Sequence, residues 1–138
     1  GSEMCIRDSN HNVYFLGKDK NLEREYKSIL KTDSITSLLG KTSLIEATYL
    51  LSLADLAITN DSGLMHITAS LDTKLISIFG SSSPFYTPPL MKDMIGEVIY
   101  KGLKCSPCFK RECPLHHLNC LNNISADEIF EKSLKYLS

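Results

Sequence analysis

The chain has 138 residues, 43% of them hydrophobic and 22% charged, with 15 Lys and Arg against 16 Asp and Glu for a net charge of -1. These proportions exclude a disordered, collagenous or coiled-coil chain and suit one globular domain, which at this length buries roughly two thirds of its unfolded surface. Asp55, Asn60, Asp61 and His66 interrupt the most apolar stretch, so no run reaches the roughly 18 apolar residues of a membrane span. The balanced charge also argues against a domain devoted to nucleic acid.

Gly1–Ser9 (GSEMCIRDS) lacks a periodic pattern and the apolar stretch of a signal peptide. It reads as a non-native scar, and Cys5 is set aside with it. Residues 10–138 are then one domain, expected to be incomplete at its N-terminus. Asn12–Leu16 reads as a strand. Leu22, Tyr26, Ile29 and Leu30 recur at helical spacing within Lys20–Lys31, predicting an amphipathic helix. Ile35–Leu39 is a second, weaker strand. Ser43 and Glu46 have capping-box spacing, so a largely buried helix should begin near Ser43.

Leu56–Thr59 predicts a third strand, followed by a helix with Leu64, Ile67, Thr68 and Leu71 on one side. Lys74–Phe79 and Glu97–Tyr100 are further strands. After a cysteine-rich loop at 105–120, Ser125 and Glu128 form a second capping box, with Phe130, Leu134 and Leu137 expected inward. Strands alternating with helices imply a Rossmann-like, doubly wound α/β domain built on a parallel sheet.

In such sheets ligands lie beyond the carboxyl ends of the strands. Thr59-Asn60-Asp61-Ser62-Gly63-Leu64-Met65-His66 is a strand end, a tight polar turn and a helix start. Small residues at Ser62 and Gly63 admit a ligand to the backbone, and the unpaired N–H groups of a first helical turn suit a phosphate. Asp61 or Ser62 could equally serve as a plain helix cap, which would leave His66 within the same turn unexplained. Gly80-Ser81-Ser82-Ser83-Pro84 could form a second wall with its hydroxyls. Gly40-Lys41-Thr42 imitates the end of a phosphate-binding P-loop, but position 35, where that motif needs glycine, is Ile.

Cys105, Cys108, Cys113 and Cys120 form a C-x2-C-x4-C-x6-C cluster with His116 and His117 inside it. Reduced structural thiols, a zinc site similar to a zinc knuckle, and two disulfides are three states open to it. Residues 101–120 also carry a net charge of +3, leaving -4 elsewhere. That charge fits an anionic partner or a solvated loop, and a zinc-knuckle RNA-binding module is one reading of the segment.

Taken in order, Gly40-Lys41-Thr42-Ser43-Leu44, Ala54-Asp55, Thr59 through His66, Gly80 through Pro84, Thr87-Pro88-Pro89 and the cysteine cluster closely resemble glycosyltransferase family 9. The resemblance runs from about Asn12 to the end. It implies a GT-B enzyme, two Rossmann-like domains with donor and acceptor meeting between them, of which this chain is most of the C-terminal, donor-binding half. By that likeness Asp61, Ser62, Gly63, Leu64 and His66 hold the diphosphate and heptose of ADP-heptose, while Lys41, Thr42 and Ser43 lie near the adenosine. The implied reaction is inverting transfer of heptose to the inner core of lipopolysaccharide, at the cytoplasmic face of the inner membrane and without a required metal.

The resemblance places the base that activates the acceptor in the other domain, so this chain alone should not catalyse transfer. A nucleotide-binding domain without catalysis would carry the same turn. In a sheet ordered 3-2-1-4-5-6, assigning Asn12–Leu16 to the second strand leaves an unfilled place beside Leu56–Thr59. Unpaired edges and marginal stability are the expectation.

Overall fold

A computed structural model describes residues 11–21, 24, 34–90 and 96–137. The scar assigned to Gly1–Ser9 and nearly all of the helix expected over Lys20–Lys31 lie outside these residues. The strand β1 (Val13–Phe15) pairs in parallel with β2 (Ile35–Ser37), Val13 opposite Ile35 and Phe15 opposite Ser37. Then follow α1 (Leu44–Leu53), β3 (Ala57–Asn60), α2 (Gly63–Ser70), β4 (Leu75–Phe79), β5 (Gly96–Tyr100), α3 (Asn119–Asn122) and α4 (Ala126–Leu137).

The strands β3, β4 and β5 form a second sheet in that order, also parallel, with Ala57 opposite Leu75 and Leu75 opposite Gly96. Parallel pairing follows from the crossover each helix or long loop provides between successive strands. Among the described residues no ladder joins β1 or β2 to β3. The described strands therefore stand as two parallel sheets.

Alternation along β4 builds a core on each face. Leu75 and Phe79 face one side, where Leu51 of α1 and Met65 and Ala69 of α2 cover them. Ile76 faces the other side with Ile99 of β5 and Ile129 of α4. A strand buried on both faces is the expected centre of a parallel sheet, and among the described residues no helix is long and apolar enough to cross a membrane.

Three helical faces differ from the sequence expectation. The helix α1 is not largely buried: only Ala47 and Leu51 are, while Leu44, Ile45, Tyr49 and Leu53 are exposed. It is apolar all round, and periodicity cannot select a face when every face qualifies. In α2 the buried stripe is Met65, Thr68 and Ala69, with Leu64, Ile67 and Leu71 half-buried beside it. In α4 the inward residues are Ile129 and Ser133 rather than Phe130, Leu134 and Leu137. A small buried Ser133, its hydroxyl donating to Ile129 O at 2.7 Å, lets that helix approach the sheet closely.

Charge fixes α4 against β5. Lys132 Nζ lies 2.6 Å from Glu97 Oε2, Lys135 Nζ lies 3.6 Å from Oε1, and the Tyr136 hydroxyl donates to Oε1 at 3.3 Å. The hydrogen bond from Lys132 holds the Glu97 carboxyl below its ordinary value of 4.5. A carboxyl depressed in the fold contributes stability above its unfolded value, and that contribution disappears as pH falls through the folded one. Replacing Glu97 with Gln is therefore expected to cost about 1 kcal/mol near neutrality, since water partly screens the network. Thermal unfolding at neutral pH and well below the carboxylate range checks this, and an equal loss at both would remove the ionic explanation.

Candidate functional site

At the end of β3 the chain turns through Asp61 and Ser62 into α2. The Asp61 N–H donates to Ile78 O at 3.1 Å, pinning the turn to the end of the neighbouring strand. Ser62 is the N-cap, in extended backbone at φ -158°, ψ 171°, and makes no side-chain cap bond. The Asp61 carboxylate instead accepts a 3.5 Å hydrogen bond from the Thr87 hydroxyl. Capping by either side chain therefore does not account for this turn, and the first N–H groups of α2 have no side-chain acceptor.

Gly63 opens the helix onto free space: a Cβ placed there would meet nothing within 4 Å. His66 is exposed on the same first turn, whereas Leu64 packs its side chain on the core and Met65 is fully buried. Asp61, Ser62, Gly63 and His66 are thus presented outward, with Leu64 contributing only backbone. Beneath them the Thr59 hydroxyl is buried without a hydrogen-bond partner at the strand end, a state that proteins keep rare. Exposed N–H groups and the positive end of a helix dipole are the features that suit an anion.

The second wall is built differently from expectation. Ser83 is buried, its hydroxyl accepting the Phe85 N–H at 3.2 Å and its carbonyl accepting the N–H groups of Tyr86 and Thr87. That hydroxyl is committed to the loop's own backbone. The turn it holds carries Thr87 back to Asp61, a contact across 26 positions that the Thr87-Pro88-Pro89 motif does not reveal in sequence. Gly80 lies beneath Leu121: a Cβ there would stand 2.8 Å from that side chain, whose flexible end would have to shift.

Lys41, Thr42 and Ser43 precede α1. The Ser43 hydroxyl accepts the Glu46 N–H at 3.1 Å, and Glu46 Oε1 accepts the Ser43 N–H at 3.1 Å. The capping box is closed, so this hydroxyl is committed to the helix. Lys41 Nζ reaches Ser37 O at 3.4 Å. Gly40, at φ +66°, donates its N–H to Gly17 O at 2.7 Å, so it shapes a left-handed turn. Because α1 leads into β3, α2 leads out of it and the two helices pack together, their N-termini open at the same end of the fold. Lys41–Ser43 and Asp61–His66 therefore share that end.

The four cysteines among the described residues are free thiols. Cys105, Cys108, Cys113 and Cys120 line one cavity of about 90 Å³ together with Lys110 and Arg111. Backbone N–H groups, that of Leu118 foremost, favour the Cys113 thiolate and hold its thiol below the ordinary range. Burial pushes the Cys120 thiol up, and the neighbouring cysteines add to the effect. Among the described residues no three His, Cys, Asp or Glu side chains stand in positions to ligate one ion.

A parallel sheet covered by helices, with an open helix start at the carboxyl ends of its strands, places the molecule among Rossmann-like α/β domains. Within that class the chain belongs to glycosyltransferase family 9 (heptosyltransferase), whose family model matches residues 4–119. It is 30% identical over 132 residues to lipooligosaccharide heptosyltransferase 2 of Campylobacter jejuni subsp. jejuni serotype O:2, covering 92% of this chain and 41% of that protein. Lipopolysaccharide heptosyltransferase 2 of Escherichia coli strain K12 is 38% identical over 88 residues, 60% of this chain and 25% of the relative.

The solved structure of E. coli ADP-heptose lps heptosyltransferase II superimposes with a TM-score of 0.72 at 30% identity, covering 91% of this chain and 36% of that one. A glycosyltransferase of family 9 from Veillonella parvula DSM 2008 shares the fold at a TM-score of 0.69 and 21% identity. The chain thus spans about two fifths of the length of the first of these relatives.

Proposed function

We propose that this chain is the donor-binding half of an inverting GT-B heptosyltransferase, gripping ADP-heptose for transfer of heptose to the inner core of lipopolysaccharide. The observation that carries the proposal is the start of α2, where Ser62 leaves the first turn uncapped and Gly63 faces open space. Cleavage of the sugar–diphosphate bond builds negative charge on ADP, and N–H donors already aimed at that place stabilise it without reorganisation. Asp61, held by Thr87, suits a ligand hydroxyl or the heptose, and His66 suits the diphosphate or the sugar beside it. Lys41 and Thr42, opening at the same end, suit the adenosine, and the Ser43 region contributes through its backbone.

The acceptor and the base belong to the remaining length of the enzyme, which works at the cytoplasmic face of the inner membrane. This chain alone binds donor without transferring it. The RNA-binding alternative concerns residues 105–120 only and leaves the family match over residues 4–119 without explanation.

Calorimetry with ADP tests the reading. Asp61→Ala and His66→Ala are each expected to weaken binding about tenfold, corresponding to about 1.4 kcal/mol. Both side chains are at least partly exposed, so neither change should disturb the fold. Undiminished ADP affinity in both variants, or no ADP binding by the unaltered chain, overturns the assignment.

A further inference from the structure

Beside the donor site the chain exposes aromatic rings that its own core leaves uncovered. Phe85 and Tyr86 are 85% and 76% exposed in the turn that Ser83 organises, and Phe109 is 59% exposed on the cysteine loop. The two segments meet: the Tyr86 and Phe109 ring centroids lie 5.9 Å apart, edge to face, and the Phe109 N–H donates to Ser81 O at 2.8 Å. Large apolar side chains scattered singly over a surface need no explanation, whereas a contiguous exposed group marks a surface that something covers. Positive charge adjoins these rings. Lys110 and Arg111 follow Phe109 directly, Lys104 lies on the same loop, and all three are exposed. None of them forms an ion pair among the described residues, whereas Lys101, Lys132 and Lys135 pair with Glu128 or Glu97 where β5 meets α4. Glu112 is the one acid within residues 101–120, whose net charge is +3 in a chain whose remainder is -4.

We propose that Phe85, Tyr86 and Phe109, with Lys104, Lys110 and Arg111, form the face by which this chain docks on a bilayer rich in anionic phospholipid. Aromatic rings settle at the headgroup boundary, and unpaired ammonium and guanidinium groups beside them meet the lipid phosphates. Each basic side chain held near an anionic surface strengthens attachment about fivefold, and salt screens that contribution. The rings add apolar burial, which salt does not screen. Two other occupants suit the face less well. A second copy set against it would bring like charges together. A nucleic acid stacks its bases on open ring faces, and the edge-on contact of Tyr86 with Phe109 takes up one such face.

This face borders the donor site. Thr87 follows Tyr86 in the chain, and its hydroxyl donates to the Asp61 carboxylate at 3.5 Å. Ser106 Oγ donates to Gly80 O at 2.6 Å and ties the basic loop to the end of β4. A chain held by these rings therefore brings the turn at Asp61 to the membrane surface, where an acceptor carried on a lipid is found. That consequence rests on the function proposed above, whereas the docking rests on the rings and the cations alone.

Co-sedimentation of the whole chain with lipid vesicles tests the proposal. Vesicles of about three parts phosphatidylcholine to one part phosphatidylglycerol are expected to bind it at least about tenfold more tightly than phosphatidylcholine alone at low salt. Phe85→Ser with Tyr86→Ser, and separately Lys110→Glu with Arg111→Glu, should each weaken that binding at least about tenfold. Tyr49→Ser, which removes an exposed ring from α1, should leave it unchanged. Circular dichroism verifies the fold of each variant. The chain contains no Trp, so Phe85→Trp supplies a single emission that should move to shorter wavelength on the anionic vesicles. The proposal is overturned by equal binding to both kinds of vesicle, by anionic binding that the aromatic pair does not alter, by an equal loss in Tyr49→Ser, or by unmoved Trp emission. A dimer that the same substitutions split, or an RNA oligonucleotide bound more tightly than the vesicles, overturns it too. Vesicle and ADP binding are read separately: a chain that binds ADP but not vesicles refutes the docking and keeps the donor site, and the reverse refutes the donor site alone.

Discussion

Replacing Gly63 with Glu is expected to leave the chain folded and to weaken ADP binding about 100-fold, corresponding to about 2.7 kcal/mol. The two effects separate because of where this glycine sits. A Cβ there meets nothing within 4 Å, so the side chain leaves the backbone into open space. A carboxylate in the first turn of a helix is favourable to the dipole, so stability should hold or rise slightly. The same carboxylate occupies the space in front of the N–H groups and opposes a pyrophosphate, and like charges brought together at an interface cost several kcal/mol. Gly63→Ser, which adds bulk without charge, should change affinity less than about threefold. Calorimetry with ADP, alongside circular dichroism to verify the fold, makes the measurement; unaltered affinity in the Glu variant would place the nucleotide elsewhere.

Gly96→Ala is expected to show the opposite pattern, a large loss of stability from one methyl group remote from the ligand. A Cβ at Gly96 would stand 2.0 Å from the carbonyl oxygen of Leu75, the residue paired with it across β4 and β5. Backbone oxygen in a ladder cannot rotate aside as a side chain can, so the strands must separate locally. The expected cost is about 3 kcal/mol, at the upper end of ordinary overpacking. For a chain of this size that lowers Tm by about 10 °C. Gly80→Ala is the informative companion, since its Cβ would meet only the flexible end of Leu121 and should cost less. If Gly96→Ala melts with the unaltered protein, the pairing of Leu75 with Gly96 between β4 and β5 is wrong.

The order of elements was legible because the local signals were strong. Short β-rich runs alternate with capped helical ones, and the strands lie within one or two residues of the expected positions. The turn at Asp61–Gly63 was legible for the same reason: a polar, small-residue break between a strand and a helix has few other uses. Helix faces were less so. Leu64, Ile67, Thr68 and Leu71 mark one side of α2, yet of these only Thr68 is buried, together with Met65 and Ala69. A Met reads as gap-filling core or ligand-side residue only once its neighbours are known. Ser83 and Thr87 show the same limit on polar residues. Three serines and a threonine near a strand end look alike in sequence, and the fold turns Ser83 inward and sends Thr87 to Asp61.

By itself the sequence determined the parallel α/β plan, the polar turn and helix start that follow the third strand, and the clustering of four cysteines. Those features depend on neighbours within a few positions, where periodicity, capping and backbone freedom act. Only the tertiary structure decided that the strands stand as two sheets, that both helix starts open at one end, and that the four thiols share one cavity with two basic side chains. These are relations between segments tens of residues apart, fixed by which surfaces bury one another, and no local pattern encodes them.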